Sequence, residues 1–91
     1  MTSAPDKKPK IDMIVAENCR KCEAMTGMIL GILRDAGMKA DFKMHKVESK
    51  EAIDLALKYG LDDVPSFVVN GVPFNGVSER DKVAKAVGVK E

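Results

Sequence analysis

The chain has 91 residues, of which 45% are hydrophobic and 32% are charged. This length allows one domain with a single core, and this composition excludes a wholly disordered chain. A net charge of +1 gives no electrostatic footprint for nucleic acid, and the longest apolar run, Met28–Leu33, is too short to span a membrane. The two cysteines are too few for a disulfide-framework protein, a class that uses four or more.

The first ten residues are polar and lack the apolar segment of a secretory signal. We therefore expect a flexible tail over residues 1–10 on a cytoplasmic protein, followed by a single domain over residues 11–91. The domain begins with Ile11–Ala16, a short apolar run rich in β-branched residues, which predicts a mostly buried strand.

A helix is predicted next, because apolar residues recur at helical spacing from position 22 to position 36. Gly37 stands where a C-terminal cap belongs. Gly27 and Gly31 lie four residues apart within this helix and lower its propensity by about 1 kcal/mol each. We expect a close approach of the helix to the sheet at that face to offset this cost.

Ala40–Val47 alternates between apolar and polar residues, which predicts a half-exposed edge strand. On this strand we expect His45 to face solvent and Met44 to fill the core. Met25 and Met28, in the preceding helix, are also expected to fill the core. The second helix is expected to begin after Ser49 as its cap and to end near Tyr59. The apolar residues expected on its inner face are Ile53, Ala56 and Leu57.

The last third of the chain predicts a hairpin and a helix. Val64–Val69 forms a strand, Asn70–Gly71 is a dipeptide favoured in tight hairpin turns, and Val72–Phe74 returns as an edge strand. Ser78 and Asp81 are spaced as a capping box that opens the final helix. The element order is β-α-β-α-β-β-α, which predicts an α/β fold with a four-stranded mixed sheet and helices on both faces.

The cysteine pair, Cys19 and Cys22, stands at the start of the first predicted helix, directly after a strand. As a structural staple this bridge would close only a four-residue loop and would constrain the unfolded chain weakly. The helix N-terminus, with Arg20 and Lys21, favours the thiolate, so we expect the pKa of Cys19 to lie below its ordinary value of about 8.5. We predict a redox pair in which Cys19 attacks a partner disulfide and a buried Cys22 resolves the mixed disulfide.

The chain strongly resembles thioredoxins and glutaredoxins in its CxxC motif and in a later stretch at 59–71. That stretch reads Tyr-Gly-Leu-Asp-Asp-Val-Pro-Ser-Phe-Val-Val-Asn-Gly. The resemblance extends over about residues 11–88 and implies a thioredoxin-like fold with a cis Val64–Pro65 bond beside the CxxC motif. It also implies a thiol–disulfide oxidoreductase that needs no cofactor beyond its own thiols. In this family the backbone of the residue before the cis proline, here Val64, binds an extended thiol substrate.

The chain departs from both branches of that family. Arg20 and Lys21 stand between the cysteines, in place of the Gly-Pro pair of thioredoxins or the Pro-Tyr pair of glutaredoxins. Met13 replaces the acid that many thioredoxins bury, and Ala16 replaces the lysine with which glutaredoxins often bind glutathione, so a protein disulfide is favoured as substrate. Phe74–Ser78 partly resembles the glutaredoxin turn that holds the glutathione carboxylate. The substrate-binding residues implied by the resemblance are Val64, Pro65, Ser66, Asn75, Gly76 and Ser78.

Two other classes of function also fit a CxxC motif. A metal carrier would use both thiolates as ligands, but heavy-metal-associated domains have the order β-α-β-β-α-β, and two cysteines with one histidine fall short of a four-ligand zinc site. A docking module would use only the surface of the fold and would need neither cysteine. The favoured prediction is a monomer that exchanges disulfides with client proteins, is regenerated by an external reductant, and has no nucleic-acid or membrane partner.

Overall fold

A computed structural model describes residues 9–88 of the chain. The predicted tail, apart from Pro9 and Lys10, lies outside the described residues, and Lys10 is the first residue of β1. The element order is the predicted one. The strands are β1 Lys10–Val15, β2 Asp41–Lys46, β3 Ser66–Val69 and β4 Val72–Asn75, and the helices are α1 Arg20–Asp35, α2 Lys50–Tyr59 and α3 Arg80–Val87.

The four strands form one mixed sheet in the order β2-β1-β3-β4. β1 pairs with β2 in parallel and with β3 antiparallel, and β3 pairs antiparallel with β4. β2 is therefore an edge strand, as predicted. Asn70 and Gly71 form the turn between β3 and β4, with φ values of 50° and 85°. Asparagine and glycine tolerate this left-handed backbone, which two-residue hairpin turns require.

The core lies on both faces of the sheet, which confirms the predicted helix–sheet–helix layering. α1 and α3 cover the face to which β1 contributes Ile11 and Met13. α2 covers the opposite face, where a smaller cluster joins Ile14 and Val68 of the strands to Ala52 and Leu61. The two central strands, β1 and β3, are covered by helices on both faces of the sheet. β3 is therefore buried along its whole length.

The face that α2 buries includes Ala56, as predicted, but differs from the predicted face at the other two residues. Ser49 Oγ accepts a hydrogen bond from the Ala52 N–H at 3.1 Å, so the predicted cap is confirmed. Ile53 and Leu57 are exposed, however, and 80% of Leu57 is open to solvent. The inner stripe is Ala52, Leu55, Ala56 and Tyr59. Apolar residues occur on two adjacent stripes of this helix, and the stripe with two alanines is the one that lies against the sheet.

Two expectations about glycine and capping are wrong. A Cβ added at Gly27 or Gly31 would meet no atom within 4 Å, so no close approach of α1 to the sheet explains these glycines. The N-cap of α3 is Glu79, whose side chain makes no capping hydrogen bond, and Ser78 instead donates to the Gly76 carbonyl at 3.2 Å. The capping box fails because the turn at Gly76 engages the serine hydroxyl before the helix begins.

The edge strand β2 corrects two further expectations. Met44 is half-exposed rather than part of the core, whereas Met25 is buried and Met28 packs against the core as predicted. His45 does not face open solvent, since its Nε2 lies 3.0 Å from Asp12 Oδ1 in a partly buried pair on the sheet. The register of the parallel strands places Asp12 and His45 within reach of each other, a pairing that neither segment reveals alone.

None of the helices within residues 9–88 has the length and apolar character needed to span a lipid bilayer.

Candidate active site

Three separate segments meet at one end of the sheet. Ile14, near the end of β1, pairs with Ser66, the first residue of β3. Ser66 pairs in turn with Asn75, the last residue of β4. The chain leaves this end of β1 toward the cysteine motif and enters β3 here from the Val64–Pro65 segment. The predicted reactive and substrate-binding residues are therefore carried by neighbouring strand ends.

Cys19 and Cys22 form a disulfide across the first turn of α1, with their Cα atoms 5.2 Å apart. Cys19 is the N-cap of the helix, and its Sγ accepts a hydrogen bond from the Cys22 N–H at 3.0 Å. Cys19 is partly exposed, whereas Cys22 retains only 3% of its accessible surface. Asn18, with φ 54°, turns the chain from β1 into the helix. The sequence thus places one accessible and one buried sulfur at a helix N-terminus.

Thr26 lies directly behind the disulfide. Its hydroxyl donates to the Cys22 carbonyl at 2.8 Å and lies 3.4 Å from Met13 Sδ. Met13 is fully buried, so a thioether rather than an acid occupies this part of the interior. Sequence reasoning did not single out Thr26, although its position four residues after Cys22 is the spacing at which a threonine hydroxyl reaches a helical carbonyl.

The two residues between the cysteines open α1 and project from its exposed side. Arg20 and Lys21 are both exposed, and neither forms an ion pair with any of the described residues. Their charges add to the positive pole of the helix, and Glu17 before the motif and Glu23 in the first turn partly oppose them. Among residues 9–88, no three His, Cys, Asp or Glu side chains lie close enough together to hold a metal ion.

The Val64–Pro65 peptide bond is cis, as the resemblance implies. Val64 is partly exposed, whereas Pro65 and Ser66 are buried. Ser66 Oγ is buried without a hydrogen-bond partner among the described residues, so this side chain faces the interior rather than the surface. The Val64 N–H donates to Asp63 Oδ1 at 2.8 Å. The N–H of Val64, whose backbone the resemblance assigns to substrate binding, is therefore already bonded to a neighbouring carboxylate.

Asn75 ties the proline loop to the end of β4. Its Oδ1 accepts hydrogen bonds from the N–H groups of Asp62 and Asp63, at 3.1 and 3.0 Å. Its Nδ2 donates to Asp62 Oδ1 at 2.7 Å. All three contacts hold the two residues that precede Val64. In this structure the side chain of Asn75 therefore engages the protein's own loop.

Gly76 continues this contact. It is buried with φ 93°, in the left-handed region that favours glycine, and a Cβ here would lie 2.8 Å from Asp63 Oδ2. The glycine thus leaves room for the carboxylate of Asp63. Ser78, two residues on, bonds to the Gly76 carbonyl and so lies in the same turn.

A family model for the thioredoxin domain matches residues 10–88, which is almost the entire described range. The chain belongs to the thioredoxin family. A curated relative, the thiol:disulfide interchange protein TxlA of Synechococcus elongatus, is 31% identical over 65 residues, or 70% of this chain and 34% of TxlA. The chain matches about a third of the length of that relative.

Solved structures of a thioredoxin-like protein and of a thioredoxin share the fold. A thioredoxin-like protein from Clostridium perfringens superposes with a TM-score of 0.67 at 24% identity, over 92% of this chain and 74% of that one. A thioredoxin from Thermus thermophilus gives a TM-score of 0.60 at 21% identity, over 88% and 71% of the two chains. These likenesses confirm the predicted thioredoxin-like fold.

In this thioredoxin domain the site contains more than the motif residues named from the sequence. The predicted residues at the end of the sheet do come together, but Ser66 is turned inward and Asn75 is bonded to the proline loop. Asp63 and Thr26 were missed. The signal for Asp63 was its place directly before Val64, from which a short acidic side chain reaches the next backbone N–H.

Proposed function

We propose that this thioredoxin-family protein is a dithiol–disulfide oxidoreductase that exchanges its Cys19–Cys22 bond with disulfides of client proteins. The observation that carries the proposal is the disulfide across the first turn of α1, with one sulfur-bearing residue partly exposed at the N-cap and the other buried. A bond that closes four residues constrains the unfolded chain little, so its position favours a redox role over a structural one.

The two cysteines take different roles because they differ in exposure. In the reduced protein the Cys19 thiolate attacks one sulfur of a client disulfide, forms a mixed disulfide and releases the other client sulfur as a thiolate, which takes up a proton. Cys22, once deprotonated, attacks Cys19 Sγ, so that the Cys19–Cys22 bond forms and the second client sulfur leaves as a thiol. Two electrons pass from the protein to the client, and an external reductant restores them.

The N-terminus of α1 supports this first step. The Cys22 N–H points at Cys19 Sγ at 3.0 Å, and the partial positive charge of the helix end favours a negative charge on that sulfur. Arg20 and Lys21 act in the same direction because both are cations beside the motif, and solvent weakens their effect since both side chains are exposed. Stabilising this thiolate also makes Cys19 the better leaving group when Cys22 resolves the mixed disulfide.

The client segment lies against Val64 in an extended conformation. Strand-like pairing would use the N–H and carbonyl of Val64, the partly exposed residue at this end of the sheet. To donate to a client carbonyl, the Val64 N–H has to leave Asp63 Oδ1. Pro65, Gly76 and Ser78 shape the loop that presents this backbone, and the buried side chain of Ser66 acts only through packing.

The proposed cellular setting depends on the proposed direction of electron flow, from this protein to its clients. A dithiol that donates electrons to client proteins works in a reducing compartment, so we place the protein in the cytoplasm as a monomeric electron carrier in redox homeostasis. The relative TxlA is named as a thiol:disulfide interchange protein, which supports this class of activity.

A redox titration of the Cys19–Cys22 bond tests the proposal. The protein is equilibrated in thiol–disulfide buffers, free thiols are alkylated, and mass spectrometry counts the alkyl groups, while reduction of insulin disulfides is followed in parallel. We expect two alkyl groups on reduction and none on oxidation. A midpoint of about −270 mV would support the proposed electron donor, whereas one of about −120 mV would indicate an oxidant and reverse the proposed direction. A Cys19→Ser, Cys22→Ser double variant is the control. Failure to cycle in any of these buffers would contradict the proposal.

A further inference from the structure

A groove of about 410 Å³ lies between α1 and the edge strand β2, and both cysteines line it. Along α1 its wall continues through Thr26 and Gly27 to Leu30, and Met44 of β2 contributes the facing side. From Cys19 to Leu30 the helix rises about 16 Å, which is the length of about five residues of extended chain. The groove is separate from the predicted substrate-binding residues, none of which lines it.

The walls of this groove are mostly apolar. Leu30 is 50% exposed and Met44 is 52% exposed, although both are large hydrophobic side chains. The hydroxyl of Thr26 is already bonded to the Cys22 carbonyl, so it is not a free donor to an occupant. Of the described residues that line the groove, Glu23 is the one with a charged side chain. An apolar side chain therefore fits these walls better than a charged one.

Gly27 keeps the groove open. It lies inside α1, where glycine is less favourable than alanine, and a Cβ at this position would meet no atom within 4 Å. Neither packing nor a left-handed backbone requires glycine here. Gly31, one turn further along, is equally free of neighbours but does not line the groove. The two glycines thus form a matched pair for testing what the groove does.

We propose that the groove binds a large apolar side chain of the client polypeptide, close in sequence to the cysteine that reacts with Cys19. This inference rests on the proposed function. A client sulfur has to come within bonding distance of Cys19 Sγ, so the residues that flank it pass the mouth of the groove. The preferred substrate class is therefore an extended polypeptide disulfide with leucine, isoleucine, methionine or phenylalanine near its cysteine, rather than a small charged thiol compound such as glutathione disulfide.

Peptide disulfides test the groove directly. In one series a single leucine moves from four residues before the cysteine to four residues after it in a serine background, and the reference peptide has serine throughout. The kcat/KM for reduction is measured for each peptide. We expect the best leucine peptide to react about tenfold faster than the serine peptide, because a buried leucine side chain contributes at least this factor.

Variants of the protein assign this preference to the groove. Gly27→Leu fills the groove and is expected to bring the ratio of kcat/KM for the leucine peptide to kcat/KM for the serine peptide close to one. Gly31→Leu, in the same helix, is expected to leave this ratio unchanged. Met44→Ser removes an exposed wall residue without opening the core and is expected to lower the ratio about threefold, as a loss of part of the apolar contact. Val72→Ser, on the exposed part of the opposite edge strand, is its control.

The outcomes separate this inference from the proposed function. The proposed role of the groove would be overturned by equal rates for all peptides with the unchanged protein, or by a leucine-to-serine ratio that is unchanged in Gly27→Leu and Met44→Ser. Neither result would contradict the proposed disulfide exchange. Absence of reduction of every peptide by the unchanged protein would overturn the proposed function instead. Circular dichroism melting curves of each variant verify that the compared proteins are folded.

Discussion

The cysteine motif and the proline loop lie at the same end of the sheet but are held in place by different means. Cys19 and Cys22 are positioned within one turn of α1 by one capping hydrogen bond, from the Cys22 N–H to Cys19 Sγ, and by the disulfide between them. The loop before Val64 is held by Asn75, which lies 12 and 13 residues away in sequence on β4. The reacting atoms therefore depend on local structure, whereas the proposed substrate-binding backbone depends on a long-range contact.

Replacing the cysteines one at a time is expected to have the largest effect on disulfide-reducing activity. Cys22→Ser leaves the attacking sulfur but removes the resolving one, so insulin reduction falls at least about 100-fold and a mixed disulfide with the client accumulates at Cys19. Cys19→Ser loses activity equally without forming that complex. Non-reducing electrophoresis and mass spectrometry distinguish the two, and a mixed disulfide that forms mainly with Cys19→Ser would reverse the proposed roles.

Asn75→Ala is expected to release the proline loop while leaving the cysteine motif intact. Three hydrogen bonds to Asp62 and Asp63 are lost, which lowers the free energy of unfolding by about 1–2 kcal/mol. The KM for a peptide disulfide rises, whereas the reduction potential of Cys19–Cys22 stays the same. Asp62→Asn, whose side-chain oxygen can still accept from Asn75, is the control. A shifted potential in Asn75→Ala would mean that the two regions are coupled.

Gly76→Ala tests how tightly the loop fits against β4. The new Cβ would lie 2.8 Å from Asp63 Oδ2, at a φ of 93° that alanine adopts poorly, so we expect a loss of about 1–2 kcal/mol in stability. Gly31→Ala provides the contrast, since its Cβ meets nothing within 4 Å and the helix gains up to about 1 kcal/mol. Urea unfolding measures both, and equal changes in the two variants would remove the distinction.

Asp63→Ala is expected to have the smallest effect and the opposite sign on activity. Removing the carboxylate frees the Val64 N–H for a client carbonyl, so the KM for a peptide disulfide falls about threefold, in keeping with the modest net value of one exposed hydrogen bond. Asp63→Asn keeps an oxygen acceptor at this position and separates the hydrogen bond from the charge. A higher KM in Asp63→Ala would show that the carboxylate supports client binding instead of competing with it.

Local sequence patterns were sufficient to predict much of this structure. The helix start at Cys19, the Ser49 cap and the Asn70–Gly71 turn follow from residue types within a few positions, because backbone hydrogen bonding there is satisfied by near neighbours. The choice of buried stripe on α2 could not be derived in this way. Ile53 and Leu57 are as hydrophobic as the residues that the helix buries, and only its orientation on the sheet decides between them.

The sequence by itself determined the element order, the position of the two sulfurs at a helix N-terminus and the likeness to thioredoxins, since these depend on spacing along one stretch of chain. Only the tertiary structure decided that Asn75 bonds to the proline loop and that a groove opens beside the disulfide, between α1 and Met44 of β2. The physical reason is distance along the chain. Strand pairing brings the ends of β1, β3 and β4 together, and no local propensity encodes which side chains then meet.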